Sequence, residues 1–163
     1  KNLLYTPVLK VPSVANNPIF EFFLQDLTAT NMMMETQMKK IAAMKRAANK
    51  TTAPNDAILK EINVARIQLL VVQKELDGDA VKGQVGEKSN PTANDGGGIS
   101  WRAFGNTYGP TGTHKGLLNR VKSQLRKVKV KLNKLAGSTL PAIESRLEQA
   151  GAPWIEGQGL IKN

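Results

Sequence analysis

The chain has 163 residues, a formal net charge of +10 at pH 7, 40% hydrophobic and only 5% aromatic residues, no cysteine and a single histidine, His114. These counts suit one domain with an aliphatic core, they rule out disulfides, thiolate nucleophiles and cysteine zinc sites, and the single histidine offers few parts for a His-based metal cluster or a Ser-His relay. No apolar run approaches the roughly 18–20 residues of a membrane-spanning helix, and the start at Lys1 rather than Met reads as a processed product, an engineered segment or a fragment of something longer.

Residues 1–18 read as an extended arm. Pro7, Pro12 and Pro18 forbid a continuous helix, while Val8, Leu9, Val11 and Val14 suit a strand or a strap laid along a surface. A helical hairpin is predicted over 19–77. In its first half Phe20, Leu24, Leu27, Met34, Met38 and Ile41 follow a rhythm of three and four, with Asn31 the one polar residue on the seam. Lys39, Lys40, Lys45, Arg46 and Lys50 crowd its C-terminal turns, where cations suit the helix dipole. Met32, Met33 and Met34 read as adaptable core filler. After Thr51–Pro54, Asn55 or Asp56 caps a second helix whose seam is Ile58, Ile62, Ala65, Leu69, Val72 and Leu76. Leu59, Ile67, Leu70 and Val71 lie off that seam, which predicts a second buried face or contact with another domain, with Arg66 paired or at a rim.

Residues 78–112 are rich in Gly, Asn, Asp, Ser and Pro and lack periodicity, so they read as a long connection, anchored by Trp101 and Phe104. A second helical pair is predicted over 113–151. Leu118, Val121, Leu125, Val128, Leu132 and Leu135 form the seam of the third helix. Arg120, Lys122, Arg126, Lys127, Lys129, Lys131 and Lys134 lie between them with no acidic residue, which predicts a cationic outer face. Gly137 reads as a C-terminal cap, after which Ser138 or Thr139 opens a short fourth helix lined by Leu140, Ile143, Leu147 and Ala150. The two would form a hairpin or a bent pair, followed by a tail over 152–163. The fold class is all-α: a small antiparallel helical bundle of three long helices and a short fourth, with an extended N-terminal arm and a long Gly-rich loop.

Little catalytic chemistry survives inspection. The segment from Gly109 to Gly116 has the look of a phosphate loop, but His114 stands where the second Gly is needed and Gly116 where the hydroxyl is needed, so it reads as a helix start. Glu61 with Glu75, and Glu144 with Glu148, balance Lys and Arg across a bundle more simply than they form an acid/base pair. No cofactor or metal is expected, and no enzymatic activity. The aromatic pair Trp101 and Phe104 beside Arg102 is too isolated to read as a nucleic-acid stacking platform.

The order Val8-Leu9-Lys10-Val11-Pro12, a helical pair, a Gly-rich break, Gly109-Pro110-Thr111-Gly112-Thr113, a second pair with Leu140-Pro141-Ala142-Ile143-Glu144 and a closing Gly151-Ala152-Pro153-Trp154 resembles the C-terminal region of sortilin-like proteins. These are large exported bacterial proteins, especially of Bacteroidetes, with BNR-repeat β-propellers often labelled glycosyl-hydrolase-like. The resemblance spans nearly the whole chain. It implies an extracytoplasmic location and a terminal bundle packed on a β-rich domain, with any catalytic carboxylates lying outside these residues.

The expectation is a non-enzymatic helical module that docks on a β-rich partner domain of the same or an associated chain. The residues expected to dock are Val8, Leu9, Val11, Leu70, Val71, Trp101, Phe104 and Trp154, because a bundle core does not need them all. The alternative is a cytoplasmic bundle that binds nucleic acid through Arg120, Lys122, Arg126, Lys127, Lys129, Lys131 and Lys134.

Overall fold

The computed structural model describes residues 18–51, 56–79, 82, 84, 86, 92–94 and 111–155. Val8, Leu9, Val11, Trp101, Phe104 and the tail beyond Ile155 lie outside the described residues. Among the described residues three long helical rods make up the bundle, and residues 82, 84, 93 and 94, within the span expected to be a connection without helix, are helical as well. Helix α1 spans Pro18–Ala48, α2 spans Asp56–Asp77 and α3 spans Gly112–Lys134, continuing through a π-helical turn, Leu135–Thr139, into α4, Leu140–Gln149. Among the described residues there is no strand.

Each rod forms where the three-and-four rhythm gives it an apolar stripe. In α2 the buried residues are Ile58, Ile62, Ala65, Leu69, Val72 and Leu76, the full predicted seam. In α3 they are Val121, Leu125, Val128 and Leu132, and in α4 Leu140, Ile143 and Leu147. Helix α1 contributes Phe23, Leu27, Met34, Ile41 and Met44. The methionine run divides by position. Met34 is buried, Met33 packs at the edge and Met32 is 65% exposed, so only part of the run fills core.

Four ion pairs between rods fix their directions. Asp26 of α1 meets Lys129 at 2.8 Å and Lys40 of α1 meets Glu144 at 2.7 Å, so α1 and the α3–α4 rod run parallel. Glu75 meets Lys131 at 2.5 Å and Glu61 meets Arg146, so α2 runs antiparallel to that rod. Three of these pairs are well exposed and contribute only about 0–1 kcal/mol each. They report register more than they supply stability. Lys40–Glu144 is different, with side chains only 16% and 12% exposed.

Of the hairpin or bent pair expected over 113–151, the hairpin does not form: helix runs without a break through the π-helical turn. Gly137 does not have the positive φ of a C-cap, and the Leu140 N–H donates to the Leu135 carbonyl five residues back. The seam explains why. Buried positions step by three and four from Val121 to Leu135, then by five to Leu140, then by three and four again to Leu147. One extra residue has been inserted into an otherwise continuous stripe, and a wider turn absorbs it while both halves stay buried. The Ser138 hydroxyl adds a hydrogen bond back to the Lys134 carbonyl at 2.6 Å.

The true helix ends are elsewhere. At the end of α4, Gly151 takes φ +70°, its N–H donates to the Glu148 carbonyl, and the Ala152 N–H donates to the Leu147 carbonyl. That is a Schellman motif. Gly78, with φ +92°, plays the left-handed role after α2. The start of α3 carries a capping box: Thr111 Oγ1 accepts the His114 N–H at 3.4 Å, and His114 Nδ1 accepts the Thr111 N–H at 3.2 Å.

Part of the long connection is pinned to the bundle. Thr92 and Ala93 are buried, and Asn94 exchanges two amide hydrogen bonds with Asn31, at 3.0 and 3.3 Å, while also donating to Asp77. Asn31, on the predicted α1 seam, thus finds a partner from outside the helical pair, while the buried polar residue of the observed stripe is Thr30, whose hydroxyl donates to the Asp26 carbonyl at 2.6 Å.

Candidate docking surface

Helix α2 carries a second apolar row. Val64, Ile67 and Val71 recur at spacings of three and four, displaced around the helix from the core seam, and are 54%, 60% and 50% exposed. They form one wall of a groove between α2 and the α3–α4 rod, with a volume of about 780 Å³. Leu135, Ala142 and Ile143 stand on the opposite side, around the π-helical turn. The rim holds Lys60, Lys131, Lys134 and Arg146 against a single carboxylate, Glu61.

The extra residue in the rod helps to place this rim. Glu61 and Glu75 are 14 positions apart on α2, whereas Arg146 and Lys131, their partners, are 15 apart. The π-helical turn lies between those partners and takes up the difference.

Of the expected docking residues, Val71 lines this groove. Leu70, the next residue back, is 40% exposed but is not among the groove's lining. A step of one residue turns about 100° around a helix, which directs Leu70 to the α1 side. Trp154 is 53% exposed and sits far from both, beside the C-terminal half of α1 in a concavity that includes Lys39, Arg46 and Lys50. The three described docking candidates therefore do not form one surface. Val64 is the residue that sequence reasoning missed, although its spacing from Ile67 and Val71 carries the signal.

The expected cationic outer face of α3 is divided. Lys129 turns toward α1 and pairs with Asp26, whereas Lys131 turns toward α2 and pairs with Glu75. By helical geometry Lys122 and Arg126 share the Lys129 flank, and Arg120, Lys127 and Lys134 share the Lys131 flank. The outermost line between the flanks includes Val130, 69% exposed. The reason is the seam itself, because cations at positions beside a narrow buried stripe must fall on both of its edges.

Arg66 lies at the rim of a smaller cleft with Met38, Ile41, Lys45 and Arg46 and has no carboxylate partner among the described residues. On α1 the Lys39 ammonium, hydrogen-bonded to Glu35, holds that carboxyl below the usual carboxylate range. This exposed pair does not line the groove. Among the described residues, no three His, Asp or Glu side chains are grouped to hold a metal ion, and no helix is long and apolar enough to cross a membrane.

No protein-family model, no curated protein and no solved structure matches the chain. The likeness to sortilin-like proteins thus rests on the order of its motifs alone.

Proposed function

We propose that the chain is a non-enzymatic helical interaction module that receives a partner protein in the groove between α2 and the α3–α4 rod. The observation that carries this reading is the row Val64, Ile67 and Val71. Helix α2 already buries a complete seam, so these three β-branched side chains are not needed for the bundle's own core. Each is half or more exposed, and covering it gains on the order of 1 kcal/mol. A contiguous apolar row with a charged rim is the usual anatomy of a protein interface.

The resemblance to sortilin-like proteins supplies a setting for this role: a terminal or split-off part of an exported polypeptide that docks on a β-rich domain of the same or an associated chain. The alternative, nucleic-acid binding through α3, draws less support. Its cations divide between two flanks, and Lys129 and Lys131 are engaged by Asp26 and Glu75.

The test is a photo-crosslinking amino acid placed at Ile67 in the native polypeptide within its source cells, with Ser123 as the control position. Covalent capture of a defined protein segment at Ile67 and not at Ser123 is the expected result. Equal labelling at both positions, or none at Ile67, overturns the docking role.

A further inference from the structure

We propose that the occupant of the groove is an acidic amphipathic helix, which completes a four-helix bundle. This rests on the docking role above and gives the partner its chemistry. The groove walls are helices whose backbone N–H and C=O groups are consumed within each rod. An extended peptide laid there would find no ladder to join, and its own amides would be buried without partners. A helix satisfies its backbone internally and still presents an apolar row. Val64, Ile67 and Val71 follow the same three-and-four rhythm that packs one helix on another, so a facing helix with Leu or Ile at that spacing fits against them.

Charge narrows the choice further. The rim has four cations and one carboxylate. Arg146 and Lys131 are each paired across the bundle, while Lys60 and Lys134, both exposed, have no ionic partner among the described residues. An occupant with Glu or Asp beside its apolar row would neutralise them. A second copy of this chain, packed through the same face, would set these cations against their own kind, which disfavours self-association. A polyanion such as single-stranded DNA would match the rim but leave the three apolar side chains wet.

The experiment measures fluorescence anisotropy of a labelled peptide of about five helical turns, with Leu at alternating spacings of three and four and Glu on both flanks, titrated with the full chain. A peptide of the same composition in scrambled order and oligo-dT serve as the other two probes. The expected result is saturable binding of the amphipathic peptide alone, about tenfold weaker for Ile67→Asp and for Val71→Glu and several-fold weaker for Lys134→Glu. Ser123→Asp, on the outer surface and with the same one-unit charge change as Ile67→Asp and Val71→Glu, leaves it unchanged. All four positions are exposed, and circular dichroism verifies the helix content of each variant. Equal binding of the scrambled peptide, indifference to Ile67→Asp and Val71→Glu, or tighter binding of oligo-dT overturns the acidic helix. No peptide binding together with specific capture at Ile67 in the native polypeptide overturns the occupant and leaves the docking role standing. Failure of both removes the docking role as well.

Discussion

Gly151 holds the left-handed conformation that closes α4, and an added Cβ there would meet nothing within 4 Å. Its replacement therefore isolates a backbone cost from any clash. Gly151→Ala should lower stability by about 1 kcal/mol, seen as a fall in the urea midpoint with the m-value unchanged. Lys40 and Glu144 pose the opposite case, a side-chain cost with no backbone change. Lys40→Met leaves the enclosed Glu144 carboxylate without its counter-ion and should cost up to about 3 kcal/mol, whereas Lys40→Met with Glu144→Leu should recover most of it. A double-mutant cycle by chemical denaturation checks both. At this scale the core was legible in the sequence, since a buried Leu69 or Val128 announces itself through periodicity. Surface residues were not, because burial rewards a pattern and exposure leaves none. Leu70 and Val71 are neighbours in sequence with the same chemistry, and only their angular placement separates a groove residue from one beside α1.

At the scale of elements, the π-helical turn is where sequence punctuation and the buried stripe disagree. Gly137, Ser138 and Pro141 are ordinary signals of a stop and a new start, yet Leu135 and Leu140 are both buried and hold the chain in one rod. The step of five between them was readable as a one-residue insertion, had the seam been followed across the glycine. Proline inside a regular α-helix meets the carbonyl four residues back, and the wide turn just before Pro141 is a place where such a ring is tolerated. Deleting Gly137 should restore an unbroken rhythm of three and four but put that ring into a regular helix, at a cost of about 3 kcal/mol. The deletion combined with Pro141→Ala should return the melting temperature to within a few degrees of the original, as followed by circular dichroism. A combined variant no more stable than the deletion alone would show that the extra residue has a packing role of its own. The cap of α3 was legible only as a helix start, since nothing in the order Thr111 to His114 says that an imidazole will take the place of the Glu or Gln of a capping box.

For the molecule as a whole, the helical class followed from composition and periodicity, and the hairpin of α1 with α2 from the short break between them. The direction of the third rod needed the cross-bundle pairs, which no local pattern encodes, whereas the division of its cations is already implicit in the spacing of its seam. Those directions have a consequence for the chain that links the rods. Because α2 descends while α1 and α3 ascend, the start of α1, the end of α2 and the start of α3 all lie at one end of the bundle. Adjacent helices pack 8–10 Å apart, a gap that about three extended residues span. The chain instead places 34 residues, 78 to 111, between α2 and α3, and of these Thr92, Ala93 and Asn94 return to the bundle, where Asn94 bonds to Asn31 near the start of α1 and to Asp77 at the end of α2. Among the described residues, the opposite pole carries the end of α1, the start of α2, the end of α4 and residues 150–155 that follow it. The groove along the side thus runs from the Lys131 end, on the side where α2 finishes and α3 begins, to the Lys60 end, where α1 turns into α2.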